Sequence, residues 1–134
     1  MHLLDTNVLS EALKRAPNAR VIEWMARQST VKLSVVSVME IEFGIARAPT
    51  SRQGDLTTWL EGILSSPAHE LVPIDHVVAR AAGQLKQRAE RAGRPRPLPD
   101  LLIAASALVT GSVVVTQSTA DFEGLGVPLL NPFA

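Results

Sequence analysis

At 134 residues the chain has the length of one ordinary domain and can bury a sizeable core, so a single domain over residues 1–134 is expected. Apolar residues make up 46% and charged residues 19%, which excludes a disordered chain, and the lack of cysteine excludes disulfides, thiolate nucleophiles and sulfur-ligated metals. Thirteen basic side chains balance thirteen acidic ones, so no global field draws in nucleic acid and any affinity for it must rest on a local patch.

The chain opens on Met1 to Leu4, a short apolar run that reads as a buried strand and reaches an acid at Asp5. Without a basic start it does not look like a secretory leader, and no apolar stretch is long enough to span a bilayer, so a cytoplasmic protein is expected. Helical spacing follows from Asn7 to about Lys14 and again after Pro17, where Val21, Ile22, Trp24 and Met25 form a stripe. Val31 to Val36 is β-branched and predicts the second strand. A helix is then predicted from Ser37 to about Ala48, ended by Pro49, and another from Ser51 to Ser65, broken by Pro67.

Glu70 to Ile74 predicts a third strand, and Asp75 to Ala92 a long helix with Asp75 as its cap and Gly93 as its stop. The proline-rich loop Arg94 to Pro99 is too short for an interdomain linker. A helix from Asp100 to Leu108 is stopped by Gly111, and Val113 to Thr116 is the clearest buried strand. Val127 to Leu130 completes the series as an edge strand. Strands alternating with helices predict an α/β sandwich around a mainly parallel sheet, whose functional crevice lies beyond the carboxyl ends of the strands.

Four acids fall where that crevice should be. Asp5 follows the first strand, Glu40 lies in the first turn of the predicted helix after the second, Asp100 begins its helix, and Asp121 comes soon after the Val113 to Thr116 strand. Carboxylates gathered together repel one another unless a cation sits among them. An all-oxygen donor set without His or Cys points to Mg²⁺ or Mn²⁺, which can activate water for attack on a phosphodiester. Taken singly, each acid also fits a helix cap: Asp5 and Asp100 stand at helix starts, and Ser37-Val-Met-Glu40 has capping-box spacing. Helical periodicity likewise favours Glu42, rather than Glu40, as the unusual acid of its helix.

Four motifs in order decide between these readings. Leu3-Leu-Asp5-Thr-Asn7-Val-Leu-Ser-Glu11, Ser34-Val-Val-Ser-Val-Met-Glu40-Ile-Glu-Phe-Gly44, Pro99-Asp100-Leu-Leu-Ile-Ala-Ala and Val114-Val-Thr116 leading to Asp121-Phe122 resemble the PIN-domain ribonuclease toxins of VapC and FitB type. The resemblance spans nearly the whole chain. It implies a PIN-like fold with a five-stranded, mainly parallel sheet flanked by helices. It also implies Mg²⁺- or Mn²⁺-dependent hydrolysis of RNA, a homodimer, and a VapB-type antitoxin whose C-terminal segment blocks the active site. By position it makes Asp5 and Asp100 metal ligands, Glu40 a ligand through water or an orienter of water, and Asp121 a weaker ligand. Thr116 would position water or a ligand. Where many relatives carry a charged or amide side chain two residues after that Thr, this chain has Ser118, and Asp121 is expected to supply the charge. Asn7 is expected to orient Asp5.

The remaining candidates carry less. His2, His69 and His76 lack ligand spacing, and Trp24 and Trp59 fit apolar stripes better than base-stacking platforms. Lys86, Arg88, Arg91, Arg94 and Arg96 form the best local basic patch, equally readable as a solvated helix face. Two rival functions remain: a catalytically silent PIN-like binding module, in which the acids only cap helices, and an aspartate-nucleophile phosphatase, which needs a second acid two residues after the first where this chain has Asn7.

Overall fold

The computed structural model describes residues 1–134. Its sheet has five strands: β1 (His2–Leu4), β2 (Val31–Ser34), β3 (His69–Val72), β4 (Val113–Val115) and β5 (Leu129–Leu130). They lie in the order β3-β2-β1-β4-β5, and all four pairings are parallel. Six helices connect them: α1 (Thr6–Ser10), α2 (Ala19–Ala26), α3 (Val35–Arg47), α4 (Thr50–Ser65), α5 (His76–Arg91) and α6 (Leu98–Thr110). None is long and apolar enough to cross a membrane.

Alternation along the strands divides the core in two. Leu3 and Val114 point to one face, where they meet Val78, Leu85 and Ile103 from α5 and α6. Leu4, Leu33 and Val115 point to the other, against Val8, Val21, Ile41 and Leu60 from α1 to α4. With both faces covered, the central strands β1 and β4 read as short apolar runs, as buried parallel strands do, whereas the edge strand β3 keeps Glu70 and Leu71 exposed.

Element ends depart from the predicted ones for local reasons. β2 stops at Ser34, because the Ser34 hydroxyl accepts the Val36 amide and starts α3 two residues early. β3 stops at Val72, before Pro73, which has no amide for the ladder. α6 starts at Leu98 with Pro99 in its first turn, so Asp100 lies inside the helix instead of capping it. Gly93 and Gly111 adopt φ of 73° and 63° just beyond α5 and α6, the left-handed stop that glycine accepts without strain. β5 keeps only Leu129 and Leu130 of the predicted edge strand, following Pro128.

The strand order fixes where the crevice lies. From β1 the chain winds outward through β2 to β3, then returns to the other side of β1 for β4 and β5. The winding direction therefore reverses between β1 and β4, and the carboxyl ends of these two strands frame an opening. Asp5 stands at the end of β1 and Thr116 at the end of β4.

Candidate active site

Asp5 continues the β1 ladder through its amide, which donates to Val115 O at 2.9 Å, before the chain turns into α1. The residue is buried, only 8% exposed. Oδ1 accepts the Thr6 amide at 2.8 Å and Oδ2 accepts the Thr116 hydroxyl at 2.8 Å, leaving lone pairs on both oxygens for a further partner. Asp5 is therefore a helix cap and a crevice acid at once. Asn7 reaches the same region: its Nδ2 lies 3.4 Å from Asp5 Oδ2 and 3.3 Å from Ser118 Oγ, while its Oδ1 accepts the Gln117 amide. That side chain laces the end of β1 to the end of β4.

The Thr116 hydroxyl, which the family resemblance makes a group that positions water or a ligand, stands at the end of β4 beside Asp5. It is fully buried, donates to Asp5 and accepts the Ser118 amide at 2.9 Å. With the Thr6 amide on the other oxygen, it holds the Asp5 carboxylate from two sides. Thr116→Val is expected to lower stability by about 1.5–3 kcal/mol, the worth of a hydrogen bond to a charged group. Because that donor favours the ionised form, the variant should also raise the Asp5 pKa further. Denaturant titration and carboxyl-detected NMR would check both.

Glu40 lies in the second turn of α3, and its Oε1 accepts the Thr6 hydroxyl at 2.7 Å. The Ser37 hydroxyl lies 3.0 Å from that of Thr6. The predicted capping box is absent, since Ser34 caps the helix and both Ser37 and Glu40 face α1. Ser37, Ile41 and Ile45 face the interior and leave Glu42 exposed. The sequence offers Ser37 only as a helix cap and gives Thr6 no role of its own; the adjacency of Thr6 to Asp5 at a strand-to-helix turn is the available clue.

Asp100 occupies the first turn of α6 with no capping bond, and Asp121 ends a short 3₁₀ turn, Thr119–Asp121. The four acids feel one another. The Asp100 carboxyl is pushed up to about 6, first by burial and then by the charges of Asp5, Asp121 and Glu40, with Arg96 opposing. Burial also raises Asp5, against its hydrogen bonds from Thr116 and Thr6, and the charges of Glu40 and Asp121 add to the shift. In both, burial is the larger cause and the neighbouring negative charge adds to it, an environment that favours a cation near these carboxylates.

No three carboxylates stand at a common coordinating distance. Mg²⁺ seldom needs that, because it retains waters and takes only one or two direct carboxylates. An oxygen-only set, with two carboxyls raised first by burial and then by neighbouring negative charge, fits Mg²⁺ or Mn²⁺ held by Asp5 and Asp100.

The basic patch loses two members. Lys86 pairs with Glu90, and Arg96 gives its guanidinium to backbone carbonyls, so Arg88 and Arg91 are the better candidates for phosphate, with Arg94 held by one bond to Ala120 O. His69 bonds Ile63 O, and His2 stacks edge-on against Trp24 at 5.1 Å, both packing roles. Beside Thr6 and Glu40 an open cleft of about 980 Å³ runs between α1, α3 and α4, with Ile41, Leu56 and Trp59 apolar and Lys14, Arg15 and Arg52 basic.

An all-parallel α/β sheet with acids gathered at its switch point defines a class that sequence comparison then names. The PIN-domain family profile matches residues 2–124, and the chain belongs to that family. Plasmid stability protein StbB of Pseudomonas syringae pv. tomato is 38% identical, with 99% of each chain covered. VapC ribonuclease Y4jK of Sinorhizobium fredii is 34% identical over 99% of this chain and 98% of its own. Toxin FitB of Neisseria gonorrhoeae is 34% identical with 99% of each covered. The crystal structure of FitAcB from that organism aligns with a TM-score of 0.87 at 32% identity, again over 99% of each chain. Within its family the chain thus stands with the VapC and FitB toxins.

Proposed function

We propose that this chain, a single PIN domain over residues 1–134, is the ribonuclease toxin of a VapBC-type toxin-antitoxin pair, cutting RNA phosphodiester bonds with Mg²⁺ or Mn²⁺ in the cytoplasm. The observation that carries the reading is the position of Asp5 and Asp100 beside the β1–β4 switch point, where both carboxyls are raised by burial first and then by the charges of Glu40 and Asp121. Asp5 and Asp100 hold the cation. Glu40, fixed by Thr6, orients the attacking water, and Asp121 adds negative charge from the open side. When bound, the cation polarises the scissile phosphate and lowers the pKa of water.

Antitoxin docking is supported by the cleft that leads from Glu40 to Trp59, whose apolar floor and basic rim suit an amphipathic segment ending at the acids. Homodimer formation is supported by Met39, Phe43 and Leu98, which are 54%, 60% and 59% exposed on helix segments beside Glu40 and Asp100.

Incubation with total RNA and Mg²⁺ or Mn²⁺, with end-mapping of products, tests the activity. Cleavage at defined positions by the native chain and none by Asp5→Asn is expected; equal products from both would refute the site, and none from either would favour a silent binding module. Acid should inhibit through metal loss. Ligands must be deprotonated to bind, so as pH falls through about 6 the Mg²⁺ concentration for half-maximal rate should rise about tenfold per unit. A half-saturating concentration that stays constant from pH 7 to 5 would count against Asp100 as a ligand.

A further inference from the structure

Arg96, in the loop between α5 and α6, sends three donors to three backbone carbonyls. Its Nε donates to Asp121 O at 2.8 Å, one Nη to Glu123 O and the other back to Arg94 O. Arg94 donates to Ala120 O at 3.3 Å. Both arginines thus reach from the loop that launches α6 to the turn that carries Asp121. Asp100 lies four residues beyond Arg96, so two of the four acids sit on segments joined by one planar side chain.

Within the turn, short amide bonds from Asp121, Phe122 and Glu123 run back to Ser118 and Thr119. Below it, buried Phe122 plugs the core. Neither feature fixes the outer side of the turn relative to α6. Arg96 does so more firmly than the single longer bond of Arg94, because a rigid fork that satisfies separate carbonyls leaves little freedom in their spacing.

We propose that Arg96 is a positioning residue of the acid site, its guanidinium bracing the Asp121 turn against the start of α6 and so setting the separation of the Asp121 and Asp100 carboxylates. The inference rests on reading those acids as a divalent-cation site. Lysine would keep the charge at position 96 but lacks the fork, which separates bracing from simple charge compensation.

The test uses the full chain as native protein, Arg96→Gln, Arg96→Lys and Asp100→Asn. Mn²⁺ binding is followed by the EPR signal of the free ion, amide hydrogen exchange is read at residues 121 to 123, and RNA cleavage is resolved into kcat and KM. Both Arg96 variants should bind Mn²⁺ about tenfold more weakly, as loss of a supporting partner around a metal site typically does. Their Asp121 to Glu123 amides should exchange about tenfold faster, and kcat should fall with KM for RNA unchanged.

Native affinity in Arg96→Gln would overturn the brace, and so would full recovery in Arg96→Lys, which would make charge alone responsible. Should Arg96→Gln fail to fold, Arg96→Lys decides by the same criterion. If the native chain binds no Mn²⁺, or Asp100→Asn binds it equally well, the site reading falls and the brace with it. Native binding that Asp100→Asn loses, with both Arg96 variants unaffected, overturns the brace alone.

Discussion

Asp100→Asn is expected to reduce metal-supported RNA cleavage by about 10³-fold or more and, in metal-free buffer at pH 7.5, to stabilise the fold. The first effect follows from removing a charged ligand worth several kcal/mol at the transition state. The second follows from linkage. The folded-state pKa of Asp100 is about 6, above the ordinary value of 3.8, so folding holds its proton more tightly than the unfolded chain does. That contribution to stability is fully present below about pH 4 and is lost as pH rises through about 6. At pH 7.5 the native carboxylate therefore stands ionised among like charges, partly out of water, and Asn relieves this.

A shift of this size corresponds to about 3 kcal/mol before screening, and Asp100 is only half-buried, so a gain of about 1–2 kcal/mol is expected. In a chain of this length that raises Tm by a few degrees. Two further signs identify the cause. Below pH 4 the native and variant proteins should melt together, and added Mg²⁺ should raise Tm of the native protein while leaving the variant unmoved. Differential scanning calorimetry across pH 3.5 to 8, with and without Mg²⁺, reads all of this. An Asp100→Asn protein less stable than native at pH 7.5 would mean that the carboxylate supports the fold and is not strained by its neighbours.

Phe122→Ala should be the most damaging single core change near the site. Phe122 is 1% exposed and packs in the cluster that contains Ile103, Val114 and Leu125. Truncating a buried phenylalanine to alanine typically costs 3–5 kcal/mol through lost burial and the cavity left behind. Domains of this kind are stable by only about 5–15 kcal/mol, so the variant should be partly unfolded at modest denaturant concentrations. The residue also anchors the turn carrying Asp121. Phe122→Leu, a milder change of about 1 kcal/mol, should stay folded at 25 °C yet lose cleavage disproportionately. Urea titration against kcat compares the two; a Leu variant with native kcat would separate the packing of Phe122 from the site.

The strand-helix alternation could be read from the sequence because the two periodicities differ, and β1, β4, α4 and α5 carried strong apolar patterns with clear stops. Boundaries failed where one local contact outweighed pattern: the Ser34 hydroxyl ended β2, and Pro99 drew α6 forward past Asp100. Those same shifts bear on the acids. Cap spacing offered an innocent reading for Asp100 and Glu40, and the actual helix starts leave both free of it. Glu40 was legible only through family resemblance, since its partner Thr6 is distant in sequence and helical phase pointed to Glu42. The Thr116 hydroxyl, turned inward to Asp5, shows the same limit. A residue type and a strand end say that a donor is near the site but not which neighbour receives it.

Diffraction at the manganese absorption edge from crystals soaked in MnCl₂ asks the question most directly. One anomalous peak is expected within coordinating distance of the Asp5 and Asp100 carboxylates, on the side facing Glu40 and Asp121. No peak there at saturating Mn²⁺, with the four acids well ordered in the electron density, would contradict the proposal that these carboxylates hold a divalent ion.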